Sequence, residues 1–345
     1  MIKYFIFLSI FSSLLLAQDI FNYSFKYTGD INNNLNGGIK KGSVYMGNAH
    51  LNINLNTSFV GLEKGNLNVD IMNSLGNKFS ENYVGDMQTL SNIENDNTTM
   101  LYEFWYSYNF DKLSLKAGYI DLNSDFILMS STENFLNSSL QVFPALSLNY
   151  PLSIFPRPFF GVHFDYRFTD NKTLRVAYFD VEEVDSYKKF VNTKLFKSGI
   201  YNLISEFQNN IDDKLNYKVG VFYQNKQEKY KNCLSYYLGL NYTIWENSNI
   251  FGQISFCDRN IVSPYYFAFG FTKSNIFGRE NDIFGLSYGY ASLFKQSNEA
   301  FVEAYYIFQI VDFIYIQPDF QYIINPSGNG INDATVFNLR IGVEL

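Results

Sequence analysis

The sequence has 345 residues, a formal net charge of −7, 47% apolar residues, 19% aromatic residues and only 17% charged residues. So few charges with so many aromatic side chains exclude an intrinsically disordered protein, and the acidic balance argues against nucleic acid as a partner, because phosphate would be repelled. Beyond residue 17 no apolar run approaches the ~20 residues of a membrane-spanning helix, which excludes a helical membrane protein.

The N-terminal segment 1–17 has the pattern of an export signal. Lys3 precedes an apolar run from Tyr4 to Leu16, and the small residue Ala17 stands where cleavage is expected. The run is short for a membrane span, and no cysteine follows it to carry a lipid anchor. The sequence therefore predicts a cleaved signal peptide over 1–17 and a single exported domain over 18–345.

The exported segment alternates apolar and polar residues with a period of two. In the last run, for example, Phe337, Leu339 and Ile341 alternate with Asn338 and Arg340. This period is typical of strands that have one apolar and one polar face. Sixteen such runs are predicted as strands, at 20–27, 43–59, 66–74, 99–109, 113–121, 161–168, 173–180, 199–208, 215–223, 233–242, 249–257, 264–273, 282–290, 299–308, 313–322 and 335–345.

The predicted connections alternate in length. Those after even-numbered strands are mostly short, and several after odd-numbered strands are long, at 28–42, 75–98, 122–160 and 181–198. Short periplasmic turns, long outer loops and an even strand number are typical of bacterial outer-membrane barrels, whereas a soluble sandwich would carry more charge on its solvent face. The fold class predicted is all-β, a transmembrane antiparallel β-barrel of about 16 strands. A barrel of this width keeps an aqueous lumen.

Short motifs occur in order along the chain: KKGSVYMGN at 40–48, NYVGD at 82–86, SNIE at 91–94, YEFWY at 102–106, GYIDLNSDF at 118–126, FLNSS at 135–139, PALS at 144–147, YP at 150–151 and QPDFQYIINPSG at 317–328. Together they resemble the carbohydrate-selective porin family of OprB type. The resemblance implies a sixteen-stranded outer-membrane channel for passive uptake of small neutral sugars. The segment 181–298 contributes little to it.

The sequence contains two histidines, and neither a nucleotide-binding glycine pattern nor a Cys/His cluster. We therefore expect no metal, no cofactor and no enzymatic activity. Expected partners are outer-membrane lipid, lipopolysaccharide and the barrel-assembly machinery, with a monomer and a homotrimer both compatible with the sequence. Two alternatives are a general or acidic-solute-selective diffusion porin, and a structural or adhesive barrel.

The loop 122–160 is predicted to fold into the lumen and narrow it. It is nearly forty residues long and rich in apolar side chains that need burial, and loops this long are usually functional or disordered. A short helix is expected near 132–140. Amides and carboxylates bind sugar hydroxyls, so the candidate substrate-binding residues are Asp121, Asn123, Asp125, Glu133, Asn137 and Arg157, with the wall residues Glu103, Trp105, Arg167 and Asp319. Alternatively, Asp121 and Asn123 cap and brace the loop.

The two cysteines, Cys233 and Cys257, share the inward phase and have their midpoint at residue 245, in a predicted turn. They are therefore expected to face each other across one hairpin. Exported proteins reach an oxidising compartment, which permits a disulfide between them. The sequence is equally compatible with two free thiols.

Overall fold

The computed structural model describes residues 21–181, 190, 195–212, 214–225, 233–258 and 261–345, so the predicted signal peptide lies outside the described residues. Sixteen antiparallel strands form a closed barrel in which β1 pairs with β16. The prediction of an all-β, sixteen-stranded antiparallel barrel is confirmed. In the described part of the chain, no helix has the length and apolar character needed to cross a bilayer.

The predicted strands agree with the observed ones to within three residues at each end, except at the end of the first. The strands are β1 Phe21–Asn36, β2 Gly42–Asn56, β3 Gly65–Leu75, β4 Thr98–Phe110, β5 Leu113–Ile120, β6 Phe159–Thr169, β7 Lys172–Asp180, β8 Tyr201–Asn210, β9 Leu215–Gln224, β10 Cys233–Trp245, β11 Ser248–Cys257, β12 Tyr265–Ile276, β13 Arg279–Ala291, β14 Glu299–Val311, β15 Ile314–Ile324 and β16 Ala334–Glu344. Short helical turns lie at Thr57–Val60, Ser80–Val84, Leu122–Asp125, Ser138–Leu140, Pro144–Ser147 and Pro326–Gly328.

The alternating sequence produces the two faces of the wall. On β16, Phe337 and Ile341 are exposed on the outer surface, whereas Asn338 and Arg340 are buried inside the barrel. Closure pairs every strand edge, which a membrane-spanning sheet requires because unpaired backbone groups cost several kcal/mol in lipid. The polar inner face is therefore available to line a water-filled passage.

The first strand is much longer than predicted, and the expected loop 28–42 is wrong. β1 continues to Asn36, and only residues 37–41 connect it to β2. Asp30, Asn32 and Asn34 point inward and are buried, while Ile31 remains exposed on the outside. The polar residue Asn33 on the outer face weakens the alternation here, which is why the pattern reads as a loop.

The segment 76–97 between β3 and β4, the short inner loop, folds into the barrel. Phe79, Val84 and Leu90 of this loop are fully buried. Glu299 on β14 accepts hydrogen bonds from the backbone amides of Met87 (2.9 Å) and Gln88 (3.0 Å), which holds the loop against the wall at β14. The sequence indicated that this loop is long but not that it turns inward.

The segment 121–158 between β5 and β6, the long inner loop, fills one side of the lumen. The ring of Phe135 lies 4.8 Å from that of Tyr305 on β14, and the ring of Phe143 lies 5.1 Å from that of Tyr237 on β10, measured between centroids. Glu303 on β14 and Glu206 on β8 accept hydrogen bonds from backbone amides of the loop. The loop therefore has an apolar side against β8–β14 and a polar side toward the open passage.

The helix expected near 132–140 is wrong in extent. Only Ser138–Leu140 forms a short 3₁₀ turn, which Asn137 caps by accepting a hydrogen bond from the Ser139 amide (3.1 Å). The amides of Leu136 and Asn137 donate to Glu303 on the wall, and the amide of Ser138 donates to the carbonyl of Thr89, so none of the three is available to continue a helix.

Candidate functional site

Two cavities meet inside the barrel. The outer cavity has a volume of about 270 Å³ and lies between the two inner loops. The inner cavity, of about 850 Å³, extends along β1–β4 and β13–β16. Asn92, Asp121, Gln141 and Phe155 line both cavities, so these four residues lie at the junction between them, which we call the neck.

Asp121 is the acidic group of the neck. It directly follows β5, and its carboxylate caps the turn Leu122–Asp125 by accepting a hydrogen bond from the Asn123 amide (2.8 Å). The carboxylate also accepts a hydrogen bond from the Tyr102 hydroxyl, and the Asp121 amide donates to Glu103 (2.7 Å). Burial raises the pKa of Asp121 to about 6, although the hydrogen bonds from Tyr102 and Asn123 oppose the shift. Asp121 therefore both braces the loop and lines the passage.

Arg340 on β16 supplies a cation beside the neck. Its guanidinium binds Asp30 on β1 at 2.7 and 2.8 Å and donates to the amide oxygen of Asn92 (2.7 Å). Arg340 also lines the inner cavity. The bidentate pair fixes the guanidinium, which in turn orients the Asn92 amide at the neck.

Aromatic rings provide an apolar surface at the same depth. The ring centroids of Phe155 and Tyr102 lie 6.4 Å apart, and those of Tyr102 and His50 lie 5.2 Å apart. His50 in turn contacts Asp70 through its Nδ1 at 3.0 Å. A solute that enters the neck therefore meets aromatic faces next to carboxylate and amide groups.

Asp125, a predicted site residue, belongs to a neutralised cluster beside the inner cavity. It binds the Lys116 ammonium at 2.6 and 2.8 Å and contacts His163 at 3.2 Å. Burial alone would raise the pKa of Asp125, but the hydrogen bond with His163 and the charge of Lys116 lower it to about 2. The Lys116 ammonium also lies 4.5 Å above the ring of Trp105, another predicted residue. Each charge here has a partner of opposite sign.

The other predicted residues near the passage occupy separate positions. Glu103 lines the inner cavity at the neck, and Asn123 lines the outer cavity. Glu133 lines the inner cavity, where partial burial of its carboxyl and the nearby Glu344 raise its pKa against the opposing effect of Lys26.

Four predicted residues are not brought to the passage. Asn137 is buried behind the long inner loop, where it donates to Gln321 (3.3 Å). Asp319 is buried there too and accepts a hydrogen bond from Asn338 (2.8 Å). Arg157 is buried at the end of the loop. Arg167 lies at the periplasmic end of β6 and donates to a turn carbonyl, that of Asp111 (2.9 Å).

The cysteines are not directly opposite each other. The register pairs Cys257 with Ser235, because the hairpin turns at 246–247 instead of at residue 245. Cys257 is disulfide-bonded. The side chain of Cys233 lies outside the described residues, so the pairing of the two cysteines stays a prediction.

Sequence reasoning did not select Asn92, Gln141, Phe155 or Arg340 as site residues. Asn92 belongs to the SNIE motif, and Arg340 has the inward phase of β16. Those two signals were present, but a local pattern cannot show that Asn92 of the neck contacts Arg340, which lies 248 positions away in the sequence. No group of three metal-ligating side chains occurs among the described residues.

A family model described as carbohydrate-selective porin, OprB family, matches residues 40–225 and 198–345. The chain belongs to this family. A search of curated protein sequences finds no match to the porin. The porin resembles the high-pH structure of Pseudomonas putida OprB, with a TM-score of 0.84 and 16% identity over 97% of this chain and 96% of that one.

Two further solved structures are also similar. The low-pH structure of Pseudomonas putida OprB has a TM-score of 0.65 and 15% identity over 97% of this chain and 95% of that one. The outer membrane channel DcaP of Acinetobacter baumannii has a TM-score of 0.59 and 10% identity over 94% and 97%. At such identities the likeness concerns the fold, and family membership carries the function. The porin is a sugar diffusion channel of the bacterial outer membrane.

Proposed function

We propose that the porin passes small neutral sugars one at a time through the neck, by facilitated diffusion and without catalysis or a cofactor. The observation that carries this proposal is the composition of the neck, where Asn92, Asp121 and Gln141 stand beside the ring of Phe155. Carboxylate and amide groups exchange hydrogen bonds with hydroxyls, and the aromatic face supports the apolar face of a sugar ring.

The electrostatics of the passage favour neutral solutes. Arg340 is paired with Asp30, and Lys116 is paired with Asp125. Ion-selective pores instead use rings of a single charge. Because these cations are paired, they form no ring of positive charge among the described residues that would attract acidic solutes, which supports the sugar channel over the acidic-solute-selective alternative.

The test is the current through single channels in a planar bilayer, titrated with glucose, a disaccharide and a neutral polyol. We expect the current of the wild-type porin to fall saturably with sugar. Replacing Asp121 removes hydrogen bonds that involve a charged group, so Asp121→Ala should weaken the block about tenfold or more. Glu280→Gln, at an exposed position at the start of β13, is the matched control and should leave the block unchanged.

Two outcomes would contradict the proposal. An open channel on which no sugar acts would favour a general diffusion porin. The absence of current would favour a structural or adhesive barrel.

We further infer that residues 1–17 are cleaved on export, that the barrel-assembly machinery inserts the domain 18–345, and that lipopolysaccharide surrounds its outer rim. The apolar run near the N-terminus supports the cleavage, and the closed barrel fold supports insertion into the outer membrane. Mass spectrometry of the protein from outer membranes should give a chain that begins at residue 18.

The exposed aromatic outer face fits both lipid and a neighbouring copy of the porin. Chemical cross-linking in the membrane distinguishes a monomer from a homotrimer.

A further inference from the structure

A row of asparagines leads from the inner cavity to the periplasmic mouth of the barrel. It consists of Asn22 on β1, Asn52 and Asn54 on β2, and Asn66 and Asn68 on β3, which we call the amide ladder. Asn52 also lines the inner cavity. The ladder ends where Asn56 caps the periplasmic turn Thr57–Val60.

The register of the sheet arranges the ladder in rungs. Asn54 pairs with Asn22 on one side and with Asn68 on the other, and Asn68 pairs with Trp105 on β4. Neighbouring strands are about 4.8 Å apart, and successive inward residues of one strand are about 6.8 Å apart. These spacings let one small ring-shaped solute contact two strands of a rung and step to the next rung without losing all its hydrogen bonds.

The ladder side chains have unused hydrogen-bonding capacity. Their one mutual hydrogen bond is long, from Asn54 Nδ2 to Asn68 Oδ1 at 3.5 Å. Nδ2 of Asn68, Oδ1 of Asn66 and the indole Nε1 of Trp105 have no protein partner within the described residues, although Asn68 is almost completely buried.

Several amides on the far side of the lumen bind one another or a charged group. On β8 and β9, Asn210 accepts hydrogen bonds from Gln208 (3.4 Å) and from Asn216, and Gln208 also binds Arg175 (2.7 Å). Buried polar groups normally have hydrogen-bond partners. Within the ladder, Asn22 is exposed and Asn52 and Asn54 are half-buried, so these three amides are the ones within reach of a solute.

We propose that the amide ladder is a second binding region for sugars, below the neck, along which they travel to the periplasm. The inference rests on the proposed sugar-diffusion function. Asparagine side chains offer both a donor and an acceptor, so they suit solutes with many hydroxyls and bind solutes that lack donors less well. Several weak sites in series favour conduction, because a solute must be bound well enough to enter and weakly enough to leave.

The test compares the permeation of a disaccharide with that of a short polyethylene glycol of similar size, which has few donors. Swelling rates of proteoliposomes, at sugar concentrations below saturation, give the ratio of the permeation rate of the disaccharide to that of the polyethylene glycol. The variant Asn52→Leu/Asn54→Leu should lower this ratio about fivefold, since one net hydrogen bond contributes a factor of about five. Asn52→Ser/Asn54→Ser, which keeps hydroxyl groups on the ladder, should retain most of the wild-type ratio.

The matched control is Asn216→Leu/Asn241→Leu, a cross-strand amide pair on β9 and β10 at the far side of the barrel. It should change the ratio less than about twofold. Heat-modifiable mobility on gels verifies that each variant is a folded barrel. Equal permeation ratios in the Asn52→Leu/Asn54→Leu variant and in the control would overturn the proposal that the amide ladder binds sugars. A wild-type porin without any sugar-dependent current block would instead overturn the proposed function itself, so the two failures are distinguishable.

Discussion

Removing the carboxylate of Glu303 should release the long inner loop from the barrel wall. Glu303 is fully buried on β14, and it accepts hydrogen bonds from the backbone amides of Leu136 (2.5 Å) and Asn137 (3.2 Å). In Glu303→Ala both amides lose their acceptor. Because each unsatisfied buried N–H costs about 1–3 kcal/mol, the docked loop loses about 2–6 kcal/mol.

This loss should widen the passage without unfolding the barrel. About 1.4 kcal/mol changes an equilibrium tenfold, so the undocked population of the loop rises at least about tenfold. The apolar contacts of Phe135 and the hydrogen bond from the Ile127 amide to Glu206 (2.8 Å) still hold part of the loop in place. We expect frequent transitions between two conductance levels in place of steady closure.

Single-channel recording measures the effect. Glu303→Ala should give a higher and noisier conductance and a weaker sugar block, whereas Glu303→Gln, which keeps one acceptor oxygen, should change both less. Glu280→Ala removes the same charge from an exposed position and should behave like the wild type. A Glu303→Ala channel with wild-type conductance, noise and sugar block would show that the carboxylate does not hold the loop.

Three further results are expected. Arg340→Met leaves Asp30 buried without its cation, which typically costs about 3–5 kcal/mol, so the temperature of the heat-induced gel shift should fall, and an unchanged temperature would refute this. The carboxyl of Asp121 ionises as the pH rises through about 6, so cation selectivity in zero-current potentials should increase between pH 5 and pH 7, and Asp121→Asn should abolish that step. If Cys233 and Cys257 are joined, thiol labelling of the denatured protein should detect no thiol before reduction and two after it, whereas labelling before reduction would exclude the bond.

The strands were largely predictable because alternation is a local property of the chain. β16 is an example, since Phe337 and Ile341 face outward whereas Asn338 and Arg340 face inward, as their spacing indicates. The end of β1 was not predictable in the same way. There the inner face is polar and part of the outer face is polar as well, so the period of two is lost although the strand continues.

The site was less predictable because it depends on contacts between distant segments. The apolar content of 122–160 indicated a loop in need of burial, and Asp121 was selected from its motif. Nothing local indicates that Asn92 receives the guanidinium of Arg340 at the neck, or that Glu303 holds the amide of Leu136. Such pairings follow from barrel closure and from the path of the loops, and a period in the sequence does not encode either.

The pairing of β1 with β16 constrains how the barrel is assembled. Asp30 and Arg340 are 310 positions apart, so the pairing of β1 with β16 forms only after nearly the whole chain has entered the membrane. Until then both edge strands expose unpaired backbone groups to lipid, at a cost of several kcal/mol for each group. Contacts between such distant residues are also slow to form. The Asp30–Arg340 pair thus stabilises the last strand pairing to form, and a variant without it, such as Arg340→Met, should close its barrel more slowly.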